Sequence, residues 1–252
     1  MNVTLTRVTD RPIDAIEEAA CNCYNSKPSG GKIMNACYRS GHHSVLEFAN
    51  FTFHIEGVSR ALLAQLTRHR HAGYAVRSQR YCDEKEFNYV VPPSIKKDER
   101  AYHTYSALMG YINMQYKELQ SIGISNEDAR MILPNACYTT LEFTCNGREL
   151  IHIMNERLCT RAQWEIRELC IKMKKAIEEY DEQCAKFSKF LVPKCEALGL
   201  CTEHNCCGRA PQKNEVMTIY KTAKELERIR DFSKNDQISF DSVTKSFNKL
   251  FS

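Results

Sequence analysis

Two short stretches of polar–apolar alternation, each leading into a capped helix, most constrain what this chain can fold into. In Phe51-Thr52-Phe53-His54-Ile55 the residues Phe51, Phe53 and Ile55 share one face while Thr52 and His54 take the other, the pattern of a half-buried strand. Gly57 breaks the run. Ser59 can then cap a helix through about Thr67, which Leu62, Leu63 and Leu66 hold to the core. Thr140-Leu141-Glu142-Phe143-Thr144-Cys145 alternates again, and Asn146-Gly147-Arg148-Glu149 reads as a capping arrangement, with Asn at the N-cap and Glu three later.

Around these units the chain predicts a first strand at Val3–Thr6 and a helix opened by Pro12, where a missing N–H costs little. Further helices are expected at Lys32–Ser40, at Asp98–Gln120 after Pro92-Pro93, and at Asn126–Leu133 before Pro134. A long helix from about Ala162 to Leu191 carries Ile166, Leu169, Met173, Ile177 and Tyr180 as an apolar stripe. Strands and helices follow one another without regular β-α-β alternation, so the expected fold is α+β, a central antiparallel sheet flanked by helices. The expected organisation is a domain over residues 1–209 and a charged tail over 210–252 that packs weakly.

A net charge of +4 is too mild for nonspecific nucleic-acid binding, so any positive field must be local. The first residues lack an apolar signal core and no run approaches a membrane span, so the chain reads as cytoplasmic and free of membrane. Its 13 cysteines, odd in number and scattered through apparent elements, read as reduced thiols rather than a disulfide framework. The late group Cys195, Cys201, His204, Cys206 and Cys207 lacks the two tight pairs of a zinc site, so no metal is expected. Trp164 reads as a core or interface anchor.

The chemistry concentrates in Arg68-His69-Arg70 and, seven residues later, Ser78-Gln79-Arg80-Tyr81, with Gln65 just upstream. Gln65 shares a helix face with Arg68 and His69. Basic charge at a helix C-terminus is favoured by itself. Here, however, the cluster runs on to Arg80, is interleaved with Ser78 and Tyr81, and follows an apolar helix. An anionic partner is called for, and arginine forks match phosphate. Further on, Arg148 and His152 share a helix face, with Arg157 near its end.

Arg-His-Arg, seven residues and Ser resembles the signature of the flavin-dependent thymidylate synthases. Gly41-His42-His43-Ser44 with Glu47, Glu56 to Ala61, Asn146 to Leu150 and Arg157 to Arg167 resemble that family's other segments in the same order, over residues 1 to 209. The resemblance implies a thymidylate synthase-complementing type of fold. It also implies reductive methylation of dUMP to dTMP, with 5,10-methylenetetrahydrofolate as methylene donor, FAD as cofactor and NADPH as reductant. No enzyme nucleophile is implied, and the redox chemistry belongs to the flavin.

By the same resemblance, Arg157 is the catalytic residue that lies against the uracil and favours its ionised form. Gln65, Arg68, Ser78, Gln79, Arg80 and Arg130 match dUMP-binding positions, with Arg157. Ser44, Arg68, His69, Arg70, Val76, Asn146, Arg148 and His152 match FAD-binding positions. His152 reads equally as a surface histidine and Ser44 as a turn cap; His42 and Glu47 fit near the flavin or as capping and core residues. Ala75-Val76 stands where many members have Asn-Glu, so a carboxylate is missing and Arg77 adds a charge beside it. The resemblance also implies a homotetramer with active sites at subunit interfaces, so several of these residues should lie far apart within one chain. Two alternatives stay open at this point: a related flavin-dependent enzyme modifying pyrimidine C5, and a non-enzymatic nucleic-acid binder.

Overall fold

The computed structural model describes residues 1–236. They divide into two compact units, with the boundary between Lys194 and Cys195. In chain order the first unit contains β1 (Asn2–Val8), α1 (Pro12–Tyr24), α2 (Lys32–Arg39), a 3-10 turn (His43–Phe48), β2 (Asn50–Ser59), α3 (Arg60–Leu66) and β3 (Ala72–Val76). It continues with α4 (Pro93–Lys96), α5 (Glu99–Ser121), α6 (Asn126–Ala129), a second 3-10 turn (Arg130–Ile132), β4 (Tyr138–Asn146), α7 (Gly147–Arg157), α8 (Trp164–Glu178) and α9 (Glu182–Ser188). The second unit holds α10 (Lys194–Leu198, whose first residue precedes the boundary) and α11 (Lys213–Asp236). The tail expected from residue 210 therefore forms a helix as far as 236; the rest of it lies outside the described residues.

The four strands form one sheet in the order β1-β2-β4-β3, every pair antiparallel. Its register follows from the alternation: Leu5 stands opposite Phe53, Phe53 opposite Phe143, and Phe143 opposite Tyr74. Phe51, Phe53, Ile55, Leu141 and Phe143 are buried on one face against Ile16 of α1, Leu150 and Ile153 of α7, and Ile166, Leu169 and Met173 of α8. Thr52, His54, Glu142 and Thr144 occupy the other face, where Thr52 and Thr144 hydroxyls meet at 3.0 Å and His54 Nδ1 meets Glu142 Oε1 at 2.5 Å. The hydrogen bond to Glu142 raises the His54 pKa above the usual value.

Both expected caps are present. Ser59 Oγ accepts from the Leu62 N–H, and Asn146 Oδ1 accepts from the Glu149 N–H. Three elements differ from the sequence expectation: the helix expected over 126–133 is α6 followed by a 3-10 turn, and two further differences reach the core and the site. The single helix expected over 162–191 is two, because Asp181 Oδ1 accepts from the Cys184 N–H and starts α9 afresh. α9 then folds back on α8 and α1. Ala72–Val76, for which no element was expected, is β3, an edge strand paired to β4. A second small core of Phe87, Met109 and Cys137 packs inside α5. None of the 13 cysteines is in a disulfide, and burial pushes the Cys170 and Cys184 thiols up to about 12.

Candidate active site

β3 is the seven-residue spacer of the basic stretch, folded. Ala72 pairs with Cys145 and Val76 with Leu141, so the strand alone separates its ends by about 13 Å. Arg68, His69 and Arg70 therefore sit at the Asn146 end of the sheet, and Ser78, Gln79 and Arg80 at the far end. Tyr74, midway, fixes the near end: its hydroxyl lies 2.8 Å from the Leu66 carbonyl and 2.7 Å from that of His69. Burial pushes the Tyr74 pKa far above the usual phenol range, so the hydroxyl stays a donor.

At the near end a cleft of about 680 Å³ opens between the first 3-10 turn, the segment after α3, and α7. His43 and Glu47 line one side, Arg68, His69, Arg70 and His71 the second, and Asn146, Arg148, Glu149, Ile151, His152 and Asn155 the third. Arg148 Nη1 donates to Glu47 Oε1 at 2.7 Å. Among the described residues the guanidinium groups of Arg68 and Arg70 have no protein partner. α7 approaches closely because Gly147 has no side chain: a Cβ there would meet the Leu46 carbonyl oxygen at 2.8 Å. The capped helix start and two free guanidiniums make this wall an acceptor of anions.

Within the cleft wall His69 is largely buried, 6% exposed. Its Nε2 accepts from Arg157 Nε–H at 3.0 Å, its Nδ1 lies 3.6 Å from Glu149 Oε1, and its ring meets His152 edge-on at 5.8 Å. Burial, then the Arg157 charge, then His152 push the His69 pKa down to about 4. The ring is neutral at pH 7.

At the far end of β3 the polar groups are engaged with one another. Arg80 closes its fork on Glu127, at 3.0 and 3.1 Å. Arg130 Nε donates to the Glu127 carbonyl at 3.0 Å, and Gln79 Nε2 to Cys137 Sγ at 3.7 Å. Arg77 points away to Glu84 at 3.0 Å, which raises its pKa. The extra charge noted beside Val76 is thus absorbed within the protomer.

Residues 4–181 match the family profile described as Thymidylate synthase complementing protein. The flavin-dependent thymidylate synthase of Pyrococcus furiosus is 40% identical over 248 residues, covering 92% of this chain and 98% of that protein. The enzyme of the same name from Nitratidesulfovibrio vulgaris is 33% identical, covering 85% and 97%. A crystal structure of flavin-dependent thymidylate synthase ThyX from Helicobacter pylori, complexed with FAD and dUMP, superposes with a TM-score of 0.58 at 27% identity, over 73% of this chain and 99% of that one.

The chain belongs to the flavin-dependent thymidylate synthase family.

Within one protomer of this flavin-dependent thymidylate synthase, the residues expected at FAD fall together except two. Arg68, His69, Arg70, Asn146, Arg148 and His152 line the cleft. Ser44 is exposed on the 3-10 turn between two lining residues, and Val76 is turned inward, half-buried against the core. The residues expected at dUMP divide. Arg68 is in the cleft, Arg157 stands behind it on His69, Gln65 bonds back to Ala61, and Ser78, Gln79, Arg80 and Arg130 are at the far end. Four polar lining residues carried no expected role. His43 sits in the Gly-His-His-Ser segment, His71 follows the motif directly, and Asn155 lies one turn beyond His152. Glu149 had been explained by its backbone cap alone.

Proposed function

We propose that the cleft beside Asn146 holds FAD, and that the Ser78–Arg80 end of a neighbouring protomer brings dUMP to it. Each active site of a homotetramer would then be completed across subunits. The enzyme converts dUMP to dTMP by reductive methylation, with 5,10-methylenetetrahydrofolate giving the methylene group. FAD, when bound, supplies the hydride that completes the methyl group, and NADPH restores it.

The residues present suit this cofactor. The cleft lies within the usual size range for ligand sites of about 300–1,000 Å³. Its donors are those a pyrophosphate requires: Arg68 and Arg70 unpaired, and Arg148 and His152 along the capped helix. Arg157 presents a guanidinium whose charge favours an ionised pyrimidine. Gln65, Ser78, Gln79, Arg80 and Arg130 hold the nucleotide, Arg80 and Arg130 by its phosphate. Ser44 and Val76 complete the flavin site from elements next to the lining ones.

One observation carries this reading: β3 sets the two basic ends of the signature apart within one protomer, and at the far end Arg80 is already closed on Glu127. The test is complementation. Arg70→Ala and Arg80→Ala are each expected to lose tritium release from C5-labelled dUMP in the presence of FAD, NADPH and the folate donor. Mixed and reassembled, they form some sites from two intact ends and regain a measurable share of activity. Two variants that stay dead after proven mixing would count against shared sites.

A further inference from the structure

Resting on the reading of Arg157 as the residue that faces the pyrimidine, we propose that Glu149 positions Arg157 through His69. Carboxylate, imidazole and guanidinium form a relay that fixes the tautomer of the ring and the plane of the guanidinium. The three groups come from separate places in the fold. Glu149 lies in the first turn of α7 and Arg157 is the last residue of the same helix. His69, following α3, bridges the two.

The geometry assigns the proton. Arginine does not give up its charge in proteins, so its Nε–H is always a donor. The 3.0 Å bond to His69 Nε2 therefore requires a lone pair on that nitrogen, and the ring proton sits on Nδ1. Nδ1 faces Glu149 Oε1 at 3.6 Å, with the side chains of His69 and Glu149 6% and 9% exposed. A buried N–H needs an acceptor; at 3.6 Å the carboxylate stands just beyond hydrogen-bond length, and a small side-chain rotation brings it onto Nδ1–H. The charged and titratable groups facing the ring are Glu149, Arg157 and His152. Tyr74 holds the backbone carbonyl of the same residue.

With Nε taken by His69, the guanidinium plane is set. Among the described residues the two terminal nitrogens of Arg157 have no protein partner, which leaves them for a ligand. Glu149 acts here through the ring rather than on the pyrimidine itself. It is a positioning residue of the kind that orients a functional histidine from behind.

The experiment compares Glu149→Ala, Glu149→Gln and Arg157→Lys, each loaded with FAD and checked for folding by circular dichroism. Glu149→Ala is expected to lower kcat by about 10- to 100-fold with a smaller change in the KM for dUMP. It should also raise the pH at which bound dUMP ionises, read from ultraviolet difference spectra. Glu149→Gln keeps an acceptor for Nδ1–H and recovers most of both. In an Arg157→Lys background Glu149→Ala adds nothing further.

A folded, flavin-loaded Glu149→Ala with unchanged kcat and ionisation pH overturns the relay and leaves the reading of Arg157 standing. Arg157→Lys with both values unchanged overturns the two together. A readout free of catalysis guards against a variant that does not fold. In nitrogen-15 spectra of histidine-labelled wild-type protein, His69 is expected as the Nδ1–H tautomer at neutral pH. An Nε2–H tautomer there would overturn the proposal.

Discussion

Protonating His69 would set an imidazolium against the Arg157 guanidinium 3.0 Å away, in surroundings that largely exclude water. Burial first, and then that charge, hold its folded pKa at about 4, against 6.5 for an ordinary imidazole. Between those values the unfolded chain binds a proton that the folded chain refuses. Stability from this residue is therefore fully present above about pH 6.5 and falls until about pH 4, below which it changes no further. The full difference amounts to at most about 3 kcal/mol. Urea titrations at neutral pH and near pH 4.5 should show the wild type losing more stability than His69→Gln, which keeps an acceptor for Arg157 without a titrating ring. Equal losses in the two proteins would show that His69 titrates as it does in the unfolded chain.

The connection between α1 and α2 shows the same economy at the scale of elements. Glu17, fully buried, accepts from the backbone N–H groups of Ser29, Gly31, Ile33 and Met34 at 2.6 to 3.3 Å. Burial by itself would raise its pKa, but these four bonds outweigh burial and hold it below the usual carboxylate value. The stability it contributes is present above the unfolded carboxylate pKa and is lost as pH falls through the lowered folded value. Glu17→Gln turns one accepting oxygen into a donor amide facing N–H groups, an expected loss of about 2–4 kcal/mol, read as a fall in Tm. A Tm within error of wild type would mean the amide finds other partners.

None of this could be seen in the sequence, because the four donors lie 12 to 17 residues away, two in the irregular connection and two in the first turn of α2. What was legible is what is local: Ser59 and Asn146 announce their caps within three residues. β3 was not, since Ala72-Gly73-Tyr74-Ala75-Val76 has weak strand preference and becomes a strand by pairing with β4. The break before α9 was hidden because the apolar stripe runs past it, and only the bond from Asp181 reveals it. The cleft residues were readable from the motif. Their division between the two ends of β3 was not, because it depends on that unrecognised strand.

At the scale of the molecule, α5 is the element least explained by a lone protomer. Its inner side packs Met109 against Phe87 and Cys137, while Leu108, Tyr111 and Met114 remain 52%, 56% and 55% exposed at three-residue steps. A contiguous apolar face of this kind marks an interaction surface. In the homotetramer proposed above, it is where a neighbouring chain would pack, and packing there would hold far ends of β3 against neighbouring clefts. Replacing Leu108 and Tyr111 together by Glu puts two charges on that face without touching either basic end. The expected result is a smaller species by light scattering, unchanged helical content, and loss of tritium release that added FAD does not restore. If the double variant stays tetrameric and active, α5 faces solvent in the assembly and the subunits meet elsewhere. If it becomes monomeric yet keeps full activity, one protomer suffices and the shared-site reading fails with it.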